Sequence, residues 1–107
     1  MKKVYLIENI IGEEVQYKIG WTGQNMEDRI KGMTTGNPGE WKVILEYNTK
    51  FATKIEAYLK RNYSNKQIKG EFFKLNQNDL EEFGLICRKV EKNITELTKY
   101  NNHFIKI

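Results

Sequence analysis

The spacing of apolar positions divides the chain into strand-like and helix-like stretches. Val4-Tyr5-Leu6-Ile7, inside Lys3 to Asn9, is a continuous run of β-favouring residues, the pattern of a central strand covered on both faces. From Val15 to Trp21 the pattern alternates, with Val15, Tyr17, Ile19 and Trp21 on one face and Gln16, Lys18 and Gly20 on the other. Ile10 to Glu14, containing Gly12, has hairpin length, so the two strands are expected to pair antiparallel. That pairing can set Tyr5 near the polar face that carries Lys18, although the register is not readable from sequence.

Thr22-Gly23-Gln24 reads as a turn and Asn25 as the N-cap of a short helix, with Glu27 and Asp28 suiting its positive end. Met26, Ile30 and Met33 form the apolar stripe of that helix, which places Arg29 beside the stripe. Thr34 to Gly39 is a breaker cluster, and Trp41 to Tyr47 reads as a third strand. A second helix is predicted from about Ala52 to Tyr63, with Ala52, Ile55 and Leu59 inward and the pair Glu56 and Lys60 on its flank. Gly70 to Leu75 is a short extended segment whose two phenylalanines are expected to close the core from one side.

Asn78 or Asp79 is expected to cap a last helix over about 78–100. Leu80, Phe83, Cys87, Val90, Ile94 and Leu97 recur on it at the spacing of a heptad seam. Two readings of the seam remain open: a face packed on the sheet, or a surface for a homodimer or a partner helix. The tail from Tyr100 to Ile107, which holds His103, carries no signal. These elements predict one domain over 1–107, with a core at about 3–75. Its class is α/β (α+β), a three-stranded antiparallel sheet flanked by helices and extended by a long C-terminal helix.

Composition narrows the function. With 39% hydrophobic and 30% charged residues in 107, the chain has enough apolar surface for one modest core. No apolar run approaches the roughly 18 residues of a membrane span, and Met1-Lys2-Lys3 leads into a strand rather than a signal peptide, so an intracellular location is expected. One cysteine, Cys87, and one histidine, His103, exclude an internal disulfide and leave a zinc site without a ligand set. The net charge of +4 is concentrated between Lys50 and Lys74, where seven basic residues face only Glu56 and Glu71. Such a field fits a polyanionic partner and equally a solvated helix face.

A strand ending in Tyr17-Lys18-Ile19-Gly20-Trp21-Thr22, then a turn and a helix carrying Glu27-Asp28-Arg29-Ile30, is a geometry for holding a phosphate. Together with Val4-Tyr5-Leu6, Ile55-Glu56-Ala57-Tyr58-Leu59 and Gly70-Glu71-Phe72-Phe73, these motifs resemble the GIY-YIG nuclease superfamily, in particular its small phage-type and bacterial members. The resemblance covers about residues 3–75. Val-Tyr-Leu alone is unspecific; four elements in order, with nine residues from Gly20 to Arg29, make the signal.

The resemblance implies Mg²⁺-dependent (or Mn²⁺-dependent) endonucleolytic hydrolysis of double-stranded DNA. Glu56 would hold the metal, Arg29 the phosphate, and Tyr5 would take a proton from water. Lys18 would support the base, with Lys60, Arg61 and Glu71 toward the substrate. One carboxylate suffices for Mg²⁺, which keeps several waters, and an arginine fork suits a scissile phosphate. A phenol titrates near 10, so a proton-accepting Tyr5 needs the cations Lys18 and Arg29 beside it.

This chain also departs from the family pattern. Lys18 stands where the second motif has its tyrosine, Met33 where many members have His or Tyr, and Lys60 where phage-type relatives tend to have His. Tyr17, on the face of Ile19 and Trp21, reads as packing. Glu71 faces either phosphate or solvent. The alternative function is a nucleic-acid-binding module of the same fold without turnover, and a third reading is an interaction protein acting through the seam.

Overall fold

A computed structural model describes the backbone of residues 1–105 and the side chains of residues 1–99. Its elements are β1 (Lys3–Ile11), β2 (Glu14–Thr22), α1 (Met26–Thr34), β3 (Glu40–Asn48), α2 (Ala52–Asn62), β4 (Phe72–Phe73) and α3 (Gln77–Ile105). All strand pairs are antiparallel, in the order β3-β1-β2-β4. The sheet therefore has four strands rather than the three expected. Phe72 and Phe73 pair with Lys18 and Tyr17, and a two-residue strand is too short to show a period.

β1 is central, as its unbroken apolar run predicts. It joins β2 through the two-residue loop Gly12-Glu13, where Gly12 supplies the positive φ of 61° that a tight hairpin requires. The register sets Tyr5 opposite Gly20, Leu6 opposite Ile19 and Ile7 opposite Lys18. On the other side the β1–β3 register shifts between Leu6 and Ile7, which leaves Ile44 as an extra residue. That bulge lets both Ile44 and Leu45 pack on the same core cluster, while Val43 packs on the opposite face.

The two faces of the sheet carry separate cores. On one, Val4, Leu6, Tyr17, Ile19 and Phe73 meet Ala52, Ile55 and Leu59 of α2 and Phe83, Cys87 and Val90 of α3. On the other, Tyr5 and Ile7 meet Met26 and Met33 of α1, with Ile30, Trp41 and Val43 at the margin. Phe73 lies in the larger core, whereas Phe72 points the other way toward Trp41 (ring centroids 6.2 Å apart). Adjacent residues on a strand face opposite ways, so the two phenylalanines do not act together.

α1 begins as its sequence predicts: the Asn25 side chain accepts the Asp28 N–H at 2.9 Å. The cap of α3 is Asn76 rather than Asn78 or Asp79. Asn76 Oδ1 accepts the Asp79 N–H and Asp79 Oδ2 accepts the Asn76 N–H, both at 2.9 Å. Asp79 is the reciprocal member of that capping box. Its carboxylate also receives Lys66 Nζ at 2.7 and 2.6 Å, tying the loop after α2 to the helix start.

The seam of α3 is buried from Phe83 to Val90, but Leu97 is 60% exposed. Packing on the sheet therefore accounts for the first part of the seam. His103 lies outside the residues whose side chains are described. Among the described residues no helix is long and apolar enough to cross a membrane.

Candidate active site

β4 pairs with only Tyr17 and Lys18, so β2 runs on from Ile19 to Thr22 past the last residue that β4 covers. A cleft of about 170 Å³ opens there. Lys18, Ile19, Gly20 and Trp21 line it from β2 and Tyr5 from β1. Arg29 enters from α1, Glu56 and Lys60 from α2, and Glu71 from the approach to β4. Enclosing sites for drug-sized ligands run to about 300–1,000 Å³, so this cleft suits a small polar group.

Tyr5 is 1% exposed, and its ring lies across Gly20, its partner on β2. A Cβ on residue 20 would fall 2.2 Å from Tyr5 Oη and 2.4 Å from Cζ, far inside contact distance. Glycine is thus needed here for space rather than for backbone freedom. Arg29 Nε donates to Tyr5 Oη at 3.3 Å, and its guanidinium carbon lies 5.8 Å from the ring centroid. The strand pairing, the missing side chain at Gly20 and the position of α1 together fix the tyrosine and arginine against each other.

Lys18 and Glu71 form an ion pair in which the ammonium is largely buried and the carboxylate is not. The hydrogen bond and charge of Lys18 hold the Glu71 carboxyl below its usual range, with Lys60 and Arg29 adding to the effect against partial burial. Glu56 and Lys60, one helical turn apart, are 3.7 Å apart, a looser pair. The cleft therefore holds three cations and two carboxylates, and Glu56 is the carboxylate less tightly engaged.

Among the described residues no three His, Cys, Asp or Glu side chains converge on a point. Glu56 alone is still compatible with Mg²⁺, which commonly takes one or two protein carboxylates and completes its shell with water and phosphate. A site that depends on several protein ligands does not fit.

Of the seven residues that the resemblance implies for the site, six line the cleft: Tyr5, Lys18, Arg29, Glu56, Lys60 and Glu71, and Gly20 lies beside them. Arg61 does not. It borders a separate groove with Lys54, Ala57, Tyr58, Val90 and Ile94, because one residue along a helix turns the side chain by about 100°. Tyr17 packs in the larger core, as read from its face, and donates to Glu8 Oε2 at 3.1 Å. Burial, then the Glu8 carboxylate, pushes its hydroxyl up. Met33 is buried in the smaller core and offers no polar group to the cleft.

Trp21 shares the face of Tyr17 and Ile19, which are buried. The indole itself is 38% exposed at the cleft, with Lys2 Nζ 5.6 Å from its ring centroid. The alternation gives its face correctly, but it cannot show where the covering helices stop. No sequence signal marks that limit.

A four-stranded antiparallel sheet with a mixed-charge polar cleft at the end of its second strand defines this as a small α+β domain with one small polar cleft at that strand end. The chain belongs to the T5orf172 domain family, whose model matches residues 2–91 and so takes in every cleft residue. No curated protein matches the chain, and no solved structure does.

Proposed function

We propose that the cleft is the site of a metal-dependent endonuclease of the GIY-YIG type acting on DNA phosphodiesters. One observation carries this reading. Tyr5, Lys18, Arg29 and Glu56 come from β1, β2, α1 and α2, and they line one cleft of about 170 Å³ floored by Gly20. Membership of a phage-associated domain family found in endonuclease contexts is in keeping with it.

In this reading Arg29, already oriented by Tyr5, presents its remaining N–H donors to a non-bridging phosphate oxygen, where charge grows in the transition state. Tyr5 acts as the phenolate, its own proton lost to solvent beforehand and the Arg29 N–H donating to Oη. It takes the proton of the attacking water as the new P–O bond forms and the leaving oxygen departs, and is left as the neutral phenol. Glu56 would hold Mg²⁺ or Mn²⁺, which would supply Lewis-acid stabilisation of the phosphate charge. Lys60 contacts the neighbouring backbone. Lys18 assists only once the incoming phosphate has competed with Glu71 for its ammonium.

That last contact favours a second reading, a binding module of the same fold without turnover. Lys18 is neutralised by Glu71, and Met33 is committed to packing. A plasmid-nicking assay with Mg²⁺ or Mn²⁺, beside Glu56→Ala and Arg29→Ala, separates the two. Metal-dependent nicking by the wild type that both variants lose supports the enzyme. An intact plasmid that is still bound with a steep salt dependence removes turnover and leaves the binding module.

A further inference from the structure

Trp21 is a large aromatic that the fold leaves uncovered at the edge of its most polar cleft. Tyr17 and Ile19, on the same face of β2, are buried, yet the indole is 38% exposed. Among the described residues its aromatic face is met by a cation: Lys2 Nζ, 5.6 Å from the centroid on a long, movable side chain. It borders the same cleft as Lys18, Arg29 and Lys60. At about 170 Å³ that cleft takes a phosphate group but not a nucleoside as well. The base next to a phosphate held there must lie at the rim, where the exposed indole stands.

We propose that Trp21 is a stacking platform for an unpaired nucleobase beside the phosphate in the cleft, so that the chain selects single-stranded or locally unpaired nucleic acid over intact duplex. This deepens the nuclease reading and rests on its placement of the phosphate. Stacking on an aromatic side chain tolerates any base, because every base has a π face, and it combines naturally with cations that follow the backbone. A base inside a duplex must leave its stack to reach the indole, which disfavours the intact double helix. The Lys2 ammonium is displaced from the ring by the base and remains close enough to meet the strand.

Fluorescence anisotropy of the full chain with labelled oligodeoxynucleotides tests this without turnover, in chelator. The probes are a single strand, an abasic strand of equal phosphate count, and the duplex. The base-bearing single strand should bind about fivefold or more tighter than the abasic strand, the lower end of what one stacked base contributes. Trp21→Ala should make those two probes equal with no change in the salt slope, and Trp21→Phe should keep part of the difference. Circular dichroism checks that both variants fold. A base preference that folded Trp21→Ala retains overturns the platform, and if Trp21→Ala does not fold, Trp21→Phe, which should keep only part of the preference, takes its place.

Equal wild-type affinity for these two probes overturns the platform while leaving the nuclease reading to the nicking assay, as does tighter binding of the duplex that Trp21→Ala leaves unchanged. Selective binding by a chain that never nicks DNA upholds the platform and removes turnover. Failure to bind any probe overturns both.

Discussion

On one face of the sheet, Val4, Leu6, Tyr17, Ile19 and Phe73 are roofed by two helices; on the other, Tyr5 and Ile7 are covered by the short α1 with its two buried methionines. The same strands supply both faces, one residue out of phase. The larger face is a conventional apolar core. The smaller one includes Tyr5, a buried side chain whose hydroxyl reaches the cleft and accepts from Arg29. The comparison teaches that β1 and β2 are held by packing on the thick face, while the cleft opens at the strand end, where Tyr5 and Arg29 of the thin side meet Glu56 and Lys60 of α2. Changes behind the thick face should act on stability, and changes near Gly20 should act on the site.

The largest effect is expected from Phe83→Ala, which empties a fully buried position of the thick core and should cost about 3–5 kcal/mol in denaturant unfolding. Nucleic-acid affinity of the fraction that remains folded should stay near wild type. A large loss of affinity from that folded fraction would break the separation between the faces.

Gly20→Ala should cost less stability, about 1–3 kcal/mol for overpacking against the Tyr5 ring, and more function. The ring has to move and the Arg29 contact goes with it. Unfolding and nicking measured on the same sample check whether function falls further than stability.

Asp79→Ala removes half of the capping box of α3 and the partner of Lys66, for about 1–2 kcal/mol. Burial pushes the Asp79 carboxyl up, but Lys66 and the Asn76 N–H outweigh it and hold it below its ordinary value of 3.8. A carboxyl depressed in the fold contributes stability at pH above that ordinary value, and the contribution is lost as pH falls through the folded value. Stability measured against pH should therefore lose this acid-side contribution in Asp79→Ala.

The smallest effect belongs to Tyr63→Phe. Tyr63 stacks on Phe83 (centroids 6.3 Å apart, planes 6° apart), and its buried hydroxyl has no hydrogen-bond partner among the described residues. Burial first, then the Asp79 and Glu82 carboxylates, push that hydroxyl up to about 12. Its removal should shift the unfolding midpoint little, within about 0.5 kcal/mol or toward greater stability, because an unsatisfied polar group leaves the core.

How much of this is legible in the sequence follows the same division. β1 is marked by its continuous apolar run, β2 by its alternation, β3 by a β-favouring run after a breaker cluster, and α1, α2 and α3 by helical spacing, because each is long enough to show its pattern. The cleft residues Tyr5, Lys18, Arg29, Glu56, Lys60 and Glu71 are also identifiable beforehand, through the order of the motifs rather than through periodicity. β4 has only two residues and no period, so the fourth strand is not. Arg61 shows the limit of sequence adjacency, since it follows Lys60 in the chain and faces a different groove. Asn76 was hidden by two better-placed candidates, and its role depends on the reciprocal bond to Asp79. Trp21 follows its strand period but sits beyond the end of the roof.

Arg29 and Arg61 offer the most direct test of the assignment. The two side chains carry the same charge and belong to the same small domain, but only Arg29 enters the cleft. Plasmid-nicking rates for Arg29→Ala and Arg61→Ala, at one salt concentration with Mg²⁺, should differ widely. Arg29→Ala should lose about 10²–10³-fold, as expected for removal of a preorganised charge at the transition state, while Arg61→Ala stays close to wild type. Equal losses from the two would show that a diffuse basic field, and not the cleft at Gly20, carries the activity.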